Sequence, residues 1–252
     1  MAPPLRKTDN AVSTATYFVT IDLQASSQTK PITGIFVPDK YRVTATADII
    51  LWLMGHHQNA AYPPTLTIDQ YWVNYPHFRF REFVNTSGKN VILVAPSLGP
   101  SSEAGKLLNK DGLSWYLDQV LDALQAYGPF QTIPSLGNLI LACHSGGGWP
   151  MRHIANSSQQ YVDKIQQCWG FDCLYNTGDE DAWMKWAKQN GTKMLFVRYG
   201  DGGTDGKSLH LQKMAAKQSN IDVDGRTSTH HNEVPKTYWN TFLSNASFLS
   251  NT

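Results

Sequence analysis

The stretch that decides the fold is "LILACHSGGGWP", Leu139 to Pro150. An apolar run of strand length ends at His144, one serine follows, and three glycines lead into the helix-forming segment "WPMRHIANSSQQYVDKI". A strand, a sharp turn and a helix are therefore predicted around Ser145. Outward from it, strand-like and helix-like runs alternate. "ADIILWLMG" (47–55) and "NVILVAPS" (90–97) are continuous apolar runs, the pattern of strands covered on both faces. "GLSWYLDQVLDALQAYG" places Leu117, Val120, Leu121 and Leu124 at helical intervals, with Gly128 at the C-terminal stop. Beyond the glycines come strands in "CWGFDCLY", "TKMLFVRYG" and "NIDVDG", and helices in "DEDAWMKWAKQ", "KSLHLQKMAAKQS" and "VPKTYWNTFLSNASFL". "TYFVTIDLQ" (16–24) and "PITGIFVPD" (31–39) are expected to open the chain as an antiparallel pair. Strands separated by helices imply a mostly parallel central sheet with helices on both faces, an α/β fold. No repeat or linker divides the chain, so residues 1–252 are expected to form a single domain. The least regular segment, His56 to Lys89, is aromatic-rich and is expected to cover a pocket.

Composition narrows the partners. The 252 residues carry a formal net charge of +1, with 41% hydrophobic and 16% charged residues. A near-neutral chain has no general electrostatic attraction for nucleic acid or an anionic membrane. No run approaches the length of a membrane span, and Met1 to Asn10 contains no apolar signal-peptide core. The expected chain is soluble, either cytoplasmic or a mature secreted form, with sequons at Asn85, Asn156, Asn190 and Asn245 leaving the compartment open. The three cysteines, Cys143, Cys168 and Cys173, lie in apolar runs without metal-type spacing and are expected to be buried thiols. His56-His57 and His230-His231 are two doublets of a common zinc ligand, but adjacent residues rarely reach one ion together and no H-E-x-x-H or H-x-H pattern accompanies them. No metal and no cofactor is expected. The alternatives for Ser145, a helix cap or a phosphate-cradling turn, lack the G-K-[ST] or G-x-G-x-x-G context that the second requires.

With the strand, turn and helix in order, the sequence resembles the α/β-hydrolase superfamily, in its esterase and lipase-like serine hydrolases, over almost its whole length. Cys143-His144-Ser145-Gly146-Gly147 is similar to the G-x-S-x-G nucleophile elbow, with Cys143 in place of the first glycine. "LWLMGHHQN" resembles the oxyanion loop that follows the third strand of that fold, with Met54 where a histidine often stands. The resemblance implies that Ser145 is a nucleophile and that the backbone N–H groups of His56 and Gly146 form the oxyanion hole, with His57 and Asn59 shaping the wall. It also implies an acid after a later strand and a histidine base after the last one. "GFDCLY" nominates Asp172 as the acid, because it directly follows an apolar strand. Asp201 and Asp205, in a "DGGTDG" run that reads as a flexible surface loop, stand as alternatives. His231 is the nominated base and His230 its alternative, while His144 is expected to pack behind the turn and His153 and His210 to lie on helix surfaces. The function so implied is cleavage of a small or medium carboxylic ester, or of a thioester or amide, through an acyl-enzyme. The sequence equally admits a ligand-binding member of the fold, or acyl transfer or C–C cleavage on the same scaffold. It leaves the oligomeric state unspecified.

Overall fold

The computed structural model describes residues 1–12, 14–25 and 30–252. Among these residues, nine strands form a single sheet in the order β1-β2-β3-β5-β4-β6-β7-β8-β9. In chain order they are β1 (Leu5–Val12), β2 (Thr14–Thr20), β3 (Ile32–Phe36), β4 (Thr46–Leu53), β5 (Ile92–Pro96), β6 (Ser135–His144), β7 (Ile165–Phe171), β8 (Met194–Tyr199) and β9 (Ile221–Gly225). Pairing is antiparallel from β1 to β5 through β2 and β3, and parallel from β5 through β4 to β9. The helices are α1 (Ile68–Asn74), α2 (Phe80–Thr86), α3 (Gly112–Tyr127), α4 (Gly148–Ala155), α5 (Asp179–Gln189), α6 (Asp205–Met214) and α7 (Val234–Asn245).

This is the expected mostly parallel α/β architecture. The helix expected over "WPMRHIANSSQQYVDKI" is shorter, ending at Ala155, and the last residue of that segment, Ile165, already opens β7. Two further departures concern the opening strands. The first is β1, which the sequence reading missed. Its side chains are mostly exposed, so "LRKTDNAV" shows no apolar pattern, and it is a strand because β2 offers it a free edge. The second is the end of β2 at Thr20, short of the expected Gln24. Ile21 and Leu23 remain buried, but the chain leaves the sheet and turns at Gln24, whose φ is +52°. The segment read as irregular holds α1, α2 and a 3-10 turn at Pro76–Phe78 between them.

β4, β5 and β7 are apolar runs with almost no exposure, as strands covered on two faces must be. On one side α2 packs on α7, where the Phe80 and Trp239 rings stack with centroids 4.3 Å apart. The Trp239 ring also meets Trp52 of β4 at 5.6 Å and Trp169 of β7 at 5.5 Å, joining the final helix to the middle of the sheet. A second group links α4 to α5 and α5 to α6. The chain leaves β4, pairs β5 on one side of it and then β6 on the other, so β4 marks the switch point where open α/β sheets form crevices at their carboxyl edge. Because Trp239 closes that core from α7, Trp239→Ala is expected to lower the free energy of unfolding by about 3–5 kcal/mol, the range for emptying a buried large aromatic site. Urea denaturation followed by circular dichroism checks this.

Candidate functional site

Register brings the site together. Leu53 of β4 lies opposite Cys143 of β6, and His144 lies opposite Phe171 of β7, so the segments that follow β4, β6 and β7 emerge side by side at one sheet edge. Ser145 follows β6 directly, with a φ of +52°, and passes through a 3-10 turn into α4. Asp172 follows β7 directly, with a φ of +48°. Ser102, in the loop after β5, has a φ of +59°, and its hydroxyl donates to the Met54 carbonyl at 3.1 Å. Left-handed backbone at non-glycine residues costs on the order of 1–3 kcal/mol and persists only where surrounding structure enforces it. Three of the five such residues among those described fall at this one edge. Gly55 is fixed by close approach, since a Cβ there would stand 2.7 Å from the Ser145 Cβ and 3.0 Å from the His144 carbonyl oxygen. The loop after β4 thus lies directly against the serine turn.

The acid and base candidates meet as well. Asp172 is fully buried, and the Nδ1 of His231 lies 2.7 Å from its Oδ2. The Gly202 N–H donates to the same oxygen at 3.0 Å, and the Thr204 hydroxyl makes a short hydrogen bond to Oδ1. Burial pushes the Asp172 pKa up, but the hydrogen bonds from His231 and Thr204 outweigh it, and the net shift is below the ordinary carboxylate value. An ionised carboxylate only accepts, so Nδ1 of His231 is the donor in this contact, and in the neutral imidazole Nε2 is then the acceptor. A side chain at position 202 would collide with both Asp172 and His231, which is why that residue is glycine.

Asp201 and Asp205 do not take Asp172's place. The Asp201 carboxylate accepts the backbone N–H of His231 at 2.5 Å, and Asp205 opens α6. His230 is exposed and caps the short turn that His231 begins, accepting the Asn232 N–H at 3.3 Å. His144 is buried, as expected, with its ring 4.3 Å from that of His231 and its Nε2–H donating to the His231 carbonyl at 3.1 Å. His57 departs from the expectation that it shapes the wall. It is 1% exposed and turned inward, with Nδ1 at 3.3 Å from the Gly55 carbonyl oxygen and its backbone N–H donating to Pro100. The backbone N–H of His56 has no acceptor among the described residues, and Gly146 is the second residue of the 3-10 turn Ser145–Gly147, whose first N–H groups lie free of intrahelical partners. Cys143, Cys168 and Cys173 are free and buried. His153 and His210 are exposed on α4 and α6.

Ser145 stands between two cavities. One, of about 240 Å³, is bordered by Gly55, His56, Asn59, Tyr62, Phe78, His144 and His231. The other, of about 600 Å³, is bordered by His56, Ser101, Gly146, Trp149, Tyr175 and Asn176. The aromatic segment contributes to the first through Asn59, Tyr62, Tyr71 and Phe78. Its position is tied to the turn that carries His231, because Nδ1 of His77 pairs with the Glu233 carboxylate at 2.5 Å, two residues beyond His231. Trp149, Tyr175 and Thr204 were not singled out from the sequence. Nothing in their local pattern distinguishes them from surface residues, and only the folded sheet edge gathers them.

The chain has the α/β-hydrolase fold. It is similar to FphF of Staphylococcus aureus, a fluorophosphonate-binding serine hydrolase, at a TM-score of 0.55 and 10% identity over 91% of this chain and 99% of that one. It is similar also to the siderophore hydrolase EstA of Aspergillus nidulans, at a TM-score of 0.55 and 10% identity over 92% and 94% of the two chains. The enterobactin esterase FES of Shigella flexneri gives a TM-score of 0.59 and 9% identity, covering 97% of this chain and 59% of that one. No family model and no curated protein matches the sequence. Among the described residues, no helix is long and apolar enough to cross a membrane, and no three His, Cys, Asp or Glu side chains gather as a metal site would require.

Burial, together with the neighbouring His231, lowers the pKa of His144 from the ordinary 6.5 to about 3. The unfolded chain takes up a proton below pH 6.5 that the folded chain refuses, so this stability is complete above about pH 6.5 and is lost as pH falls towards 3. Burial lowers the pKa of His57 too, which adds a slope of the same sign. The free energy of unfolding is expected to fall by about 2 kcal/mol on His144's account between pH 7 and pH 5. Urea titrations at the two pH values test this, with a shallower pH dependence expected in His144→Gln.

Proposed function

We propose that the protein is a serine hydrolase that cleaves carboxylic esters through an acyl-enzyme on Ser145. The observation that carries this reading is the buried, ionised Asp172 holding Nδ1 of His231 at 2.7 Å, beside a cavity that His231 shares with Ser145. The serine turn is then a nucleophile elbow, and its left-handed φ serves to expose Oγ at the sheet edge. Nε2 of His231 accepts the Ser145 proton as Oγ attacks the substrate carbonyl, and Asp172 stabilises the resulting imidazolium. The backbone N–H groups of His56 and Gly146 receive the oxyanion. The imidazolium gives its proton to the departing alkoxide, and a water deprotonated by His231 then attacks the acyl carbon and frees Ser145. Each step balances within these residues, the ester and water.

The substrate is a neutral ester of small or medium size. Among the described residues, neither cavity beside Ser145 is bordered by Lys, Arg, Asp or Glu, so no fixed charge stands in either wall to meet a charged acyl or alcohol group. EstA is by its name a siderophore hydrolase and FES an enterobactin esterase, but at 9–10% identity those substrates do not transfer to this chain.

Hydrolysis of 4-nitrophenyl acetate by wild type, Ser145→Ala, His231→Ala and Asp172→Asn tests the reading. Ser145→Ala and His231→Ala are expected to lose about 10³-fold or more in kcat/KM. Asp172→Asn is expected to lose about 10⁴-fold in kcat, because an amide holds the imidazole in the wrong tautomer. Full activity in Ser145→Ala would rule out the acyl-enzyme, and ligand binding without turnover would favour a binding protein.

A further inference from the structure

We propose that the larger cavity is the acyl site and that it selects a planar, uncharged aromatic acyl group, as in benzoate or cinnamate esters. This rests on the serine-hydrolase reading above and concerns the same site.

The orientation follows from where the proton must go. The leaving alkoxide takes its proton from Nε2 of His231, so the alcohol part of the ester has to lie on the side of Ser145 where His231 is found. That side is the cavity of about 240 Å³ with Tyr62, Phe78 and Asn232 in its wall. His231 does not border the cavity of about 600 Å³; of the two oxyanion donors in this mechanism, Gly146 borders that cavity and His56 borders both. The acyl group, opposite the leaving group across the tetrahedral carbon, therefore occupies the larger cavity.

The class of acyl group follows from its walls. Trp149 and Tyr175 are 40% and 41% exposed, and they are the only aromatic side chains among the exposed large hydrophobic residues described. Both border this one cavity. Water over two aromatic rings is unfavourable, and a ligand ring that displaces it gains burial together with an oriented ring contact. The two side chains are also held in place before any ligand arrives. The Trp149 ring lies 5.6 Å from that of His153, on the same helix, and the Tyr175 hydroxyl donates to the Gly202 carbonyl at 3.0 Å. A flexible alkyl chain would gain less from fixed flat walls than a ring does. Ser101 and Asn176 are the polar, uncharged members of the wall and suit hydroxyl substituents on that ring.

The test compares 4-nitrophenyl benzoate with 4-nitrophenyl butyrate, taking kcat/KM for each relative to its hydroxide-catalysed rate. The wild type is expected to favour the benzoate by about tenfold or more. Trp149→Ala is expected to reduce that ratio about tenfold, and Trp149→Phe to keep it within about threefold of wild type. Tyr62→Ala, on the alcohol side, is expected to leave the ratio unchanged while altering the preference among butyrate esters of different alcohols. A wild-type ratio near one, or a ratio that Trp149→Ala does not move, overturns the proposal, as does a ratio that Tyr62→Ala abolishes. In those cases Ser145-dependent turnover persists and the hydrolase reading stands. Absence of Ser145-dependent turnover with both esters overturns the two readings together.

Discussion

The site depends on the contact between the loop leaving β4 and the turn leaving β6. The parallel register of β4 and β6 delivers Gly55 and Ser145 to the same point, with no room for a side chain on Gly55. The serine turn has to bend sharply to pass that loop, which is why Ser145 takes a left-handed φ that a serine elsewhere would avoid. The His56 N–H, which has no acceptor among the described residues, lies in the same loop, so one steric constraint sets both the exposure of the hydroxyl and the position of this N–H.

A second constraint is electrostatic. A fully buried carboxylate is unfavourable unless its charge is met by donors, and Asp172 meets three of them: Nδ1–H of His231, the N–H of Gly202 and the hydroxyl of Thr204. Two of these come from the segment 201–204, which also binds the His231 backbone through Asp201 and the Tyr175 hydroxyl through the Gly202 carbonyl. A single loop after β8 therefore orients Asp172, His231 and one wall of the larger cavity. The ionised state of Asp172 in turn decides which nitrogen of His231 is protonated.

Much of this was legible in the sequence where burial imposes a pattern. The apolar runs of β4, β5, β6 and β7 and the helical spacing of α3 are read directly, and so is the abrupt change from strand to glycine at Ser145. Asp172 was separable from Asp201 and Asp205 only by its place after an apolar strand, and His231 from His230 only by its neighbours. Patterns fail where burial is absent. β1 is exposed and polar, so edge pairing alone makes it a strand. "DGGTDG" has the composition of a mobile loop, yet its Gly202 N–H and Thr204 hydroxyl are recruited by a carboxylate thirty or so residues away. Trp149 and Tyr175 look like ordinary surface aromatics until the fold sets them in one wall.

The central claim is that the turn at Ser145 presents an activated nucleophile. The most direct measurement is reaction of the folded protein with a fluorophosphonate, followed by peptide mapping of the adduct by mass spectrometry. The account predicts a single stoichiometric adduct on Ser145 in wild type, and none in Ser145→Ala or in His231→Ala. A natively folded wild-type protein that forms no adduct, or an adduct on Ser145 that survives loss of His231, would contradict it.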